Sequence, residues 1–128
     1  MTKELDFEAI KNAAESHRAD MTRFLRAMIS HPSESCEEGE VVACIKAEME
    51  SLGYDEVKVD GLGNVMGFMG EGDKIIAIDS HIDTVGIGNI ENWDADPYEG
   101  YETDERSSTA AAAPTRRVAW LLLPPLPR

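Results

Sequence analysis

The chain has 128 residues, 25 of them acidic and 12 basic, for a net charge of −13. An acidic balance of this size disfavours nucleic acid and anionic membranes as partners. No apolar stretch approaches the ~20 residues that cross a bilayer; the run from Leu121 to Pro127 is far too short.

From Phe7 to about Ile29 the apolar residues Ile10, Ala13, Ala14, Met21, Phe24, Leu25 and Met28 recur at helical spacing, which predicts one amphipathic helix with Asp6 as its cap. His31-Pro32-Ser33 breaks it. A second helix is announced by Ser35-Cys36-Glu37-Glu38, a capping-box pattern, carries Val41, Val42, Ile45, Met49 and Leu52 on one face, and closes at Gly53. Cys36 and Cys44, if both helical, are eight residues and about 12 Å of rise apart. That is beyond disulfide reach, so both are expected to be reduced thiols. Short strands are expected at Val57–Val59, Val65–Met69 and Lys74–Ile78, separated by the turn-rich segments Asp60 to Asn64 and Gly70 to Asp73. The length admits one domain.

The run Ile75-Ile76-Ala77-Ile78 has no polar alternation and leads into Asp79-Ser80-His81-Ile82-Asp83-Thr84. Such a run reads as a strand covered on both faces, and ligands in α/β sheets gather at the carboxyl ends of such strands. His81 lies at that end. A metal-binding imidazole usually donates its second N–H to a carboxylate, which fixes the tautomer, and Asp83 is close enough in sequence to accept it. By itself a His-x-Asp pair also occurs by chance, and a histidine after a strand is often only a hydrogen-bonded loop residue. The aromatic, proline-bearing segment Trp93-Asp94-Ala95-Asp96-Pro97-Tyr98-Glu99-Gly100 shifts the balance towards function.

Gly63-Asn64-Val65, Asp79-Ser80-His81-Ile82-Asp83-Thr84-Val85, and Trp93 with Asp96-Pro97-Tyr98-Glu99-Gly100 together resemble the start of the M20 zinc metallopeptidases. These include aminoacylases, deacetylases, desuccinylases and carboxypeptidases. The wording around His81 and Tyr98 is similar to the subgroup linked to selenium metabolism. The resemblance implies an α/β fold, the N-terminal part of a zinc-peptidase-like catalytic domain in which two helices are followed by strands of a mixed sheet. It implies two zinc ions in the complete site, with His81 ligating one and Asp83 as the catalytic-site acid that orients it. It also implies a small amide or peptide substrate. The family continues with a Gly-Arg-Gly-x-x-Asp segment whose aspartate bridges the metals, a Glu-Glu pair, a further acid and a distant histidine. None of these follows the Trp93 to Gly100 segment in this sequence, so the fold is expected to be incomplete.

Composition changes sharply after Glu105. Residues 1–105 hold all 25 acidic residues against 8 basic ones, a net charge of −17, whereas 106–128 hold four arginines and no acid. Residues 106–128 have the Ala/Pro/Arg bias expected of GC-rich DNA read out of frame. If each shifted codon takes the last base of one codon and the first two of the next, Ser107 to Trp120 permit Val-Val-Asp-Gly-Arg-Gly-Gly-Ala-Asp-Gln-Glu-Gly-Gly-Met, which contains the family's missing motif. Residues 1–105 are therefore expected to be the first part of the catalytic domain and 106–128 an out-of-frame, irregular tail; a genuine low-complexity tail is the other reading.

His17 and His31 have no acid or cysteine at metal spacing and are expected to be structural or solvated. The acidic groups Glu37-Glu38-Glu40 and Asp94 to Glu105 lack the alternating ligands of a calcium loop and read as solvated surface. The polar start Met1-Thr2-Lys3-Glu4 has no charged-then-apolar leader, so the cytoplasm is the expected location. Two functions of different class follow. The parent is a zinc-dependent amidohydrolase of N-acyl amino acids or small peptides, of which this chain is an inactive fragment, or the chain is a small acidic binding module.

Overall fold

The computed structural model describes residues 6–99, 101–103 and 106–108, the last two stretches by backbone only. The Asp6 carboxylate accepts the Ala9 N–H at 3.0 Å and so caps α1 (Phe7–Ser16). The single helix expected over Phe7 to Ile29 is two, because the chain turns at His17 (φ −93°, ψ 1°) before α2 (Arg18–Ile29) begins. The Ser16 hydroxyl donates back to the Ala13 carbonyl at 2.7 Å, a bond that tends to bend helices. No described side chain of α1 is buried to hold the two helices in line, and Phe7 and Ile10 are exposed; across the joint the described pairing is that of Arg18 with Glu15. A helical period runs unchanged through a one-residue break, so spacing alone misses it.

The next helix, α3 (Gly39–Ser51), starts later than the Ser35 pattern suggests. In a capping box the Ser35 hydroxyl would accept the Glu38 N–H; here it donates to Asp83, and the Glu38 carboxylate accepts the Cys36 N–H at 3.0 Å. Cys36 itself sits at φ 74°, off any helical path. Val41, Val42, Ile45 and Met49 are buried as their spacing requires, while Leu52 at the C-cap is exposed. Gly53 at φ 77° ends the helix, a conformation that costs a glycine little. Neither cysteine is in a disulfide.

Two strands follow, β1 (Glu56–Val59) and β2 (Val65–Phe68), antiparallel with Val57 opposite Gly67 and Val59 opposite Val65. Asp60 organises the turn between them: its carboxylate accepts the N–H groups of Leu62 and Asn64, each at 2.9 Å, and the Asn64 side-chain amide at 2.9 Å. These bonds, the Asn64 amide first, hold its carboxyl below the ordinary aspartate range. At Gly67 the hairpin meets the layer beneath. A Cβ there would lie 2.6 Å from the Tyr54 ring and 3.0 Å from the Met49 sulfur, so only glycine lets the strand pack so closely.

Phe24 and Met28 from α2 and Val41, Ile45 and Met49 from α3 form the core, flanked by Met21, Leu25, Cys44, Tyr54, Val57, Val65 and Ile82. Helix α3 lies between α2 and the hairpin, and Arg23 pairs with Glu48 across the two helices. Burial pushes the Tyr54 hydroxyl above its usual pKa.

The buried strand expected at Lys74–Ile78 does not form. That stretch has no strand structure, and Ile75 and Ile76 are 94% and 86% exposed. A strand of that composition is stabilised by ladder neighbours and by cover on both faces, and among the described residues none pairs with it. The sheets that do form are separate antiparallel hairpins, not one mixed sheet: β1–β2, and β3 (Tyr101–Thr103) with β4 (Arg106–Ser108). Residues 106–108 were expected to be irregular; antiparallel pairing through main-chain bonds asks no side-chain pattern of so short a segment. Residues 109–128 and their out-of-frame reading lie outside the described residues. The described part is a small mixed arrangement of three helices and antiparallel hairpins.

Candidate functional site

The two residues singled out by the sequence meet. His81 Nδ1 lies 2.9 Å from Asp83 Oδ1, and the two side chains are 54% and 48% exposed. Ile82 between them packs on the core. With Asp83 accepting a proton from Nδ1, the lone pair of Nε2 remains for a ligand, which is the arrangement of a metal-binding histidine and its orienting carboxylate.

What holds this segment was not legible beforehand. His81 to Thr84 belongs to no helix or strand, yet the loop between α2 and α3 grips it. Ser33, fully buried, donates its hydroxyl to the Ile82 carbonyl at 3.0 Å, and its carbonyl accepts the Thr84 N–H at 2.8 Å. Ser33 Oγ and Thr84 Oγ1 are 3.3 Å apart. The Ser35 hydroxyl reaches Asp83 Oδ2 at 3.5 Å. The sequence showed Ser33 only as part of a helix break and Ser35 only as a cap. Serines beside a proline are a weak hint of a hydrogen-bonded loop, and nothing local names partners some fifty residues away.

The segment after Asp83 is also tied down. The Trp93 indole N–H donates to the Ile87 carbonyl at 2.9 Å, following the 3-10 turn Ile90–Asn92. Pro97 is fully buried, and the Asp96 carboxylate accepts the Tyr98 N–H at 2.8 Å. Arg26 of α2 reaches the Glu99 carbonyl at 3.4 Å. The aromatic, proline-bearing loop thus has a structural role in this chain.

The other histidines are elsewhere. His17 is the joint between α1 and α2, and His31 Nδ1 lies 3.5 Å from Glu40 Oε2. His31, Glu40 and Cys44 line an open groove of about 560 Å³ between α2 and α3. Among the described residues no group of three His, Cys, Asp or Glu side chains is placed to hold a metal ion. The residues present therefore fit zinc to the extent of one ligand, His81 Nε2, with its carboxylate partner. A catalytic zinc takes about three protein ligands.

No helix among the described residues is long and apolar enough to cross a membrane. The chain is similar to the uncharacterized protein YgeY of Escherichia coli K12 and of Escherichia coli O157:H7, 58% identical to each over 105 residues. The match covers 82% of this chain and 26% of each relative, so the chain spans about a quarter of the length of the curated relatives it matches. No family model matches the chain. No solved structure matches it.

Proposed function

We propose that this chain is the N-terminal part of a metal-dependent amide hydrolase of the M20 type, acting on N-acyl amino acids or small peptides. The single observation that carries the reading is the 2.9 Å contact from His81 Nδ1 to Asp83 Oδ1, set within Asp79-Ser80-His81-Ile82-Asp83-Thr84-Val85. His81 would contribute Nε2 to a zinc ion, and Asp83 would keep the ring in the tautomer that leaves Nε2 unprotonated. When bound, zinc supplies an activated water and polarises the scissile carbonyl. The chain's own residues orient one ligand. The ligands and the proton-accepting glutamate that complete such a site belong to the larger protein.

The relatives' names carry no activity, so the enzymatic reading rests on the motif and its geometry. Their matched length, 105 residues, equals the length of the segment that precedes the change in composition. That agreement supports 106–128 as a different reading frame, and with it a longer parent. A chain that offers one ligand should bind zinc weakly, through His81, and turn over nothing. The test is a zinc titration followed by the His81 ring resonances, with a panel of N-acyl amino acids and dipeptides assayed beside it. A weak response confined to His81, lost in His81→Ala, together with no hydrolysis, is expected. Stoichiometric zinc that survives dialysis, or turnover abolished by His81→Ala, would show that the chain is a complete enzyme and not a fragment.

A further inference from the structure

We propose that the loop from His31 to Ser35 is a positioning device for the His81–Asp83 pair, with Ser33 as its central residue. The inference deepens the functional reading above and rests on it.

Ser33 has one hydroxyl proton. Since that proton goes to the Ile82 carbonyl at 3.0 Å, the 3.3 Å contact with Thr84 must be the Thr84 hydroxyl donating to Ser33 Oγ. With the Thr84 N–H donating to the Ser33 carbonyl at 2.8 Å, one buried serine fixes the residues on both sides of Asp83 through three bonds. Asp83 is then held on both oxygens: Oδ1 faces His81 Nδ1 at 2.9 Å and Oδ2 accepts from Ser35 at 3.5 Å. Next to it, Glu34 lies against Gly86, where a Cβ would come within 2.9 Å of its Oε1.

These contacts join two stretches without regular structure at a sequence separation of 48 to 51 residues. Cys36, immediately after Ser35, stands at φ 74°. A non-glycine residue there is strained by about 1–2 kcal/mol, and such strain concentrates where a site demands an exact backbone path. A loop that served only to connect α2 to α3 would need neither the strain nor the buried hydroxyl. Ser33 touches no reacting atom and acts through Asp83, so it is a positioning residue.

The readout is which nitrogen of His81 carries the proton in the neutral ring, measured on the 15N-labelled 128-residue protein by long-range 15N–1H correlation at a pH where the imidazole is neutral. The intact chain should hold Nδ1–H, donated to Asp83. Thr84→Val, which keeps shape and removes the hydroxyl, should lower the Nδ1–H to Nε2–H ratio by roughly five-fold, the effect of about one net hydrogen bond. Thr84→Ser, which keeps the hydroxyl, should preserve the ratio, and Ser33→Ala should lower it at least as far as Thr84→Val. Ser30→Ala, which removes a hydroxyl that donates to the Ala27 carbonyl at 2.8 Å, should leave it unchanged. The Thr84 pair decides the matter even where Ser33→Ala disturbs folding. If Asp83→Ala shifts the tautomer while Thr84→Val and Ser33→Ala do not, the positioning role is wrong and the pair stands. If the intact chain shows no preference for Nδ1–H, the pair fails and the positioning role with it.

Discussion

Residues 18–68 and residues 70–99 differ in how they are held. The first region closes on itself: α2, α3 and the β1–β2 hairpin enclose a core in which Met28 and Val41 are almost wholly hidden. The second has only the 3-10 turn Ile90–Asn92 as regular structure, leaves its apolar run Ile75 to Ile78 in solvent, and is anchored at points: Ile82 on the core, Thr84 on Ser33, Pro97 in the interior. The candidate chemistry is all in the second. The buried core and the candidate site thus lie in different stretches, and the His81–Asp83 pair depends on a few bonds to the self-supporting part.

The sharpest way to break this comparison is a pair of isoleucine substitutions. Ile45→Ala, in the core, should cost about 2–5 kcal/mol, whereas Ile76→Ser should fall within about 0.5 kcal/mol of neutral, as exposed sites do. Urea denaturation followed by helix circular dichroism gives both numbers. Equal costs would mean that Ile76 is buried and that the two regions do not differ. Next in size is Gly67→Ala: a Cβ at 2.6 Å from the Tyr54 ring must push the hairpin away from α3, and overpacking of this kind costs about 1–3 kcal/mol. A tolerated alanine would show that hairpin and helix are less closely joined than described.

A smaller effect with the opposite sign is expected at the strained joint. Cys36→Gly relieves a left-handed residue at φ 74° and should raise stability by up to about 1 kcal/mol, the relief being offset in part by the freedom glycine gains when unfolded. A shift of the urea midpoint upward supports it, and a fall would mean that the cysteine side chain matters more than its backbone.

The smallest effect concerns the Asp60 turn. Because its folded pKa is depressed below the ordinary value of 3.8, its contribution is present above that value and fades as pH drops through the folded one. The amide resonances of Leu62 and Asn64 should therefore report loss of their carboxylate bonds in acid while those of α3 stay put. Asp60→Asn should remove that acid response, and an unchanged response would assign it to another group.

Much of the chain up to residue 68 was legible. The Asp6 cap, the buried face Val41, Val42, Ile45 and Met49, and the hairpin around Asp60 to Asn64 follow from local spacing and turn chemistry, and the structure has all of them. The break at His17 was not, since it goes with a back-bonded serine and with a first helix that buries none of its described residues. The strand expected at Lys74–Ile78 shows the opposite limit: the apolar run is real, but a strand is a relation between segments, and no described segment supplies the neighbour. For the site, the nearness of His81 and Asp83 was readable because it is local. The contribution of Ser33 was not, because a serine does not name a partner 49 residues ahead.

The central claim, that His81 is one ligand of a larger hydrolase site, is tested most directly by restoring the reading frame. One base added, or two removed, just after the Glu105 codon should open a long frame encoding Gly-Arg-Gly-x-x-Asp soon after. The resulting protein should carry tightly bound zinc by elemental analysis, and its hydrolysis of N-acyl amino acids or dipeptides should disappear in His81→Ala. An early stop in the restored frame, or a long protein whose zinc content and activity are indifferent to His81→Ala, would contradict the account.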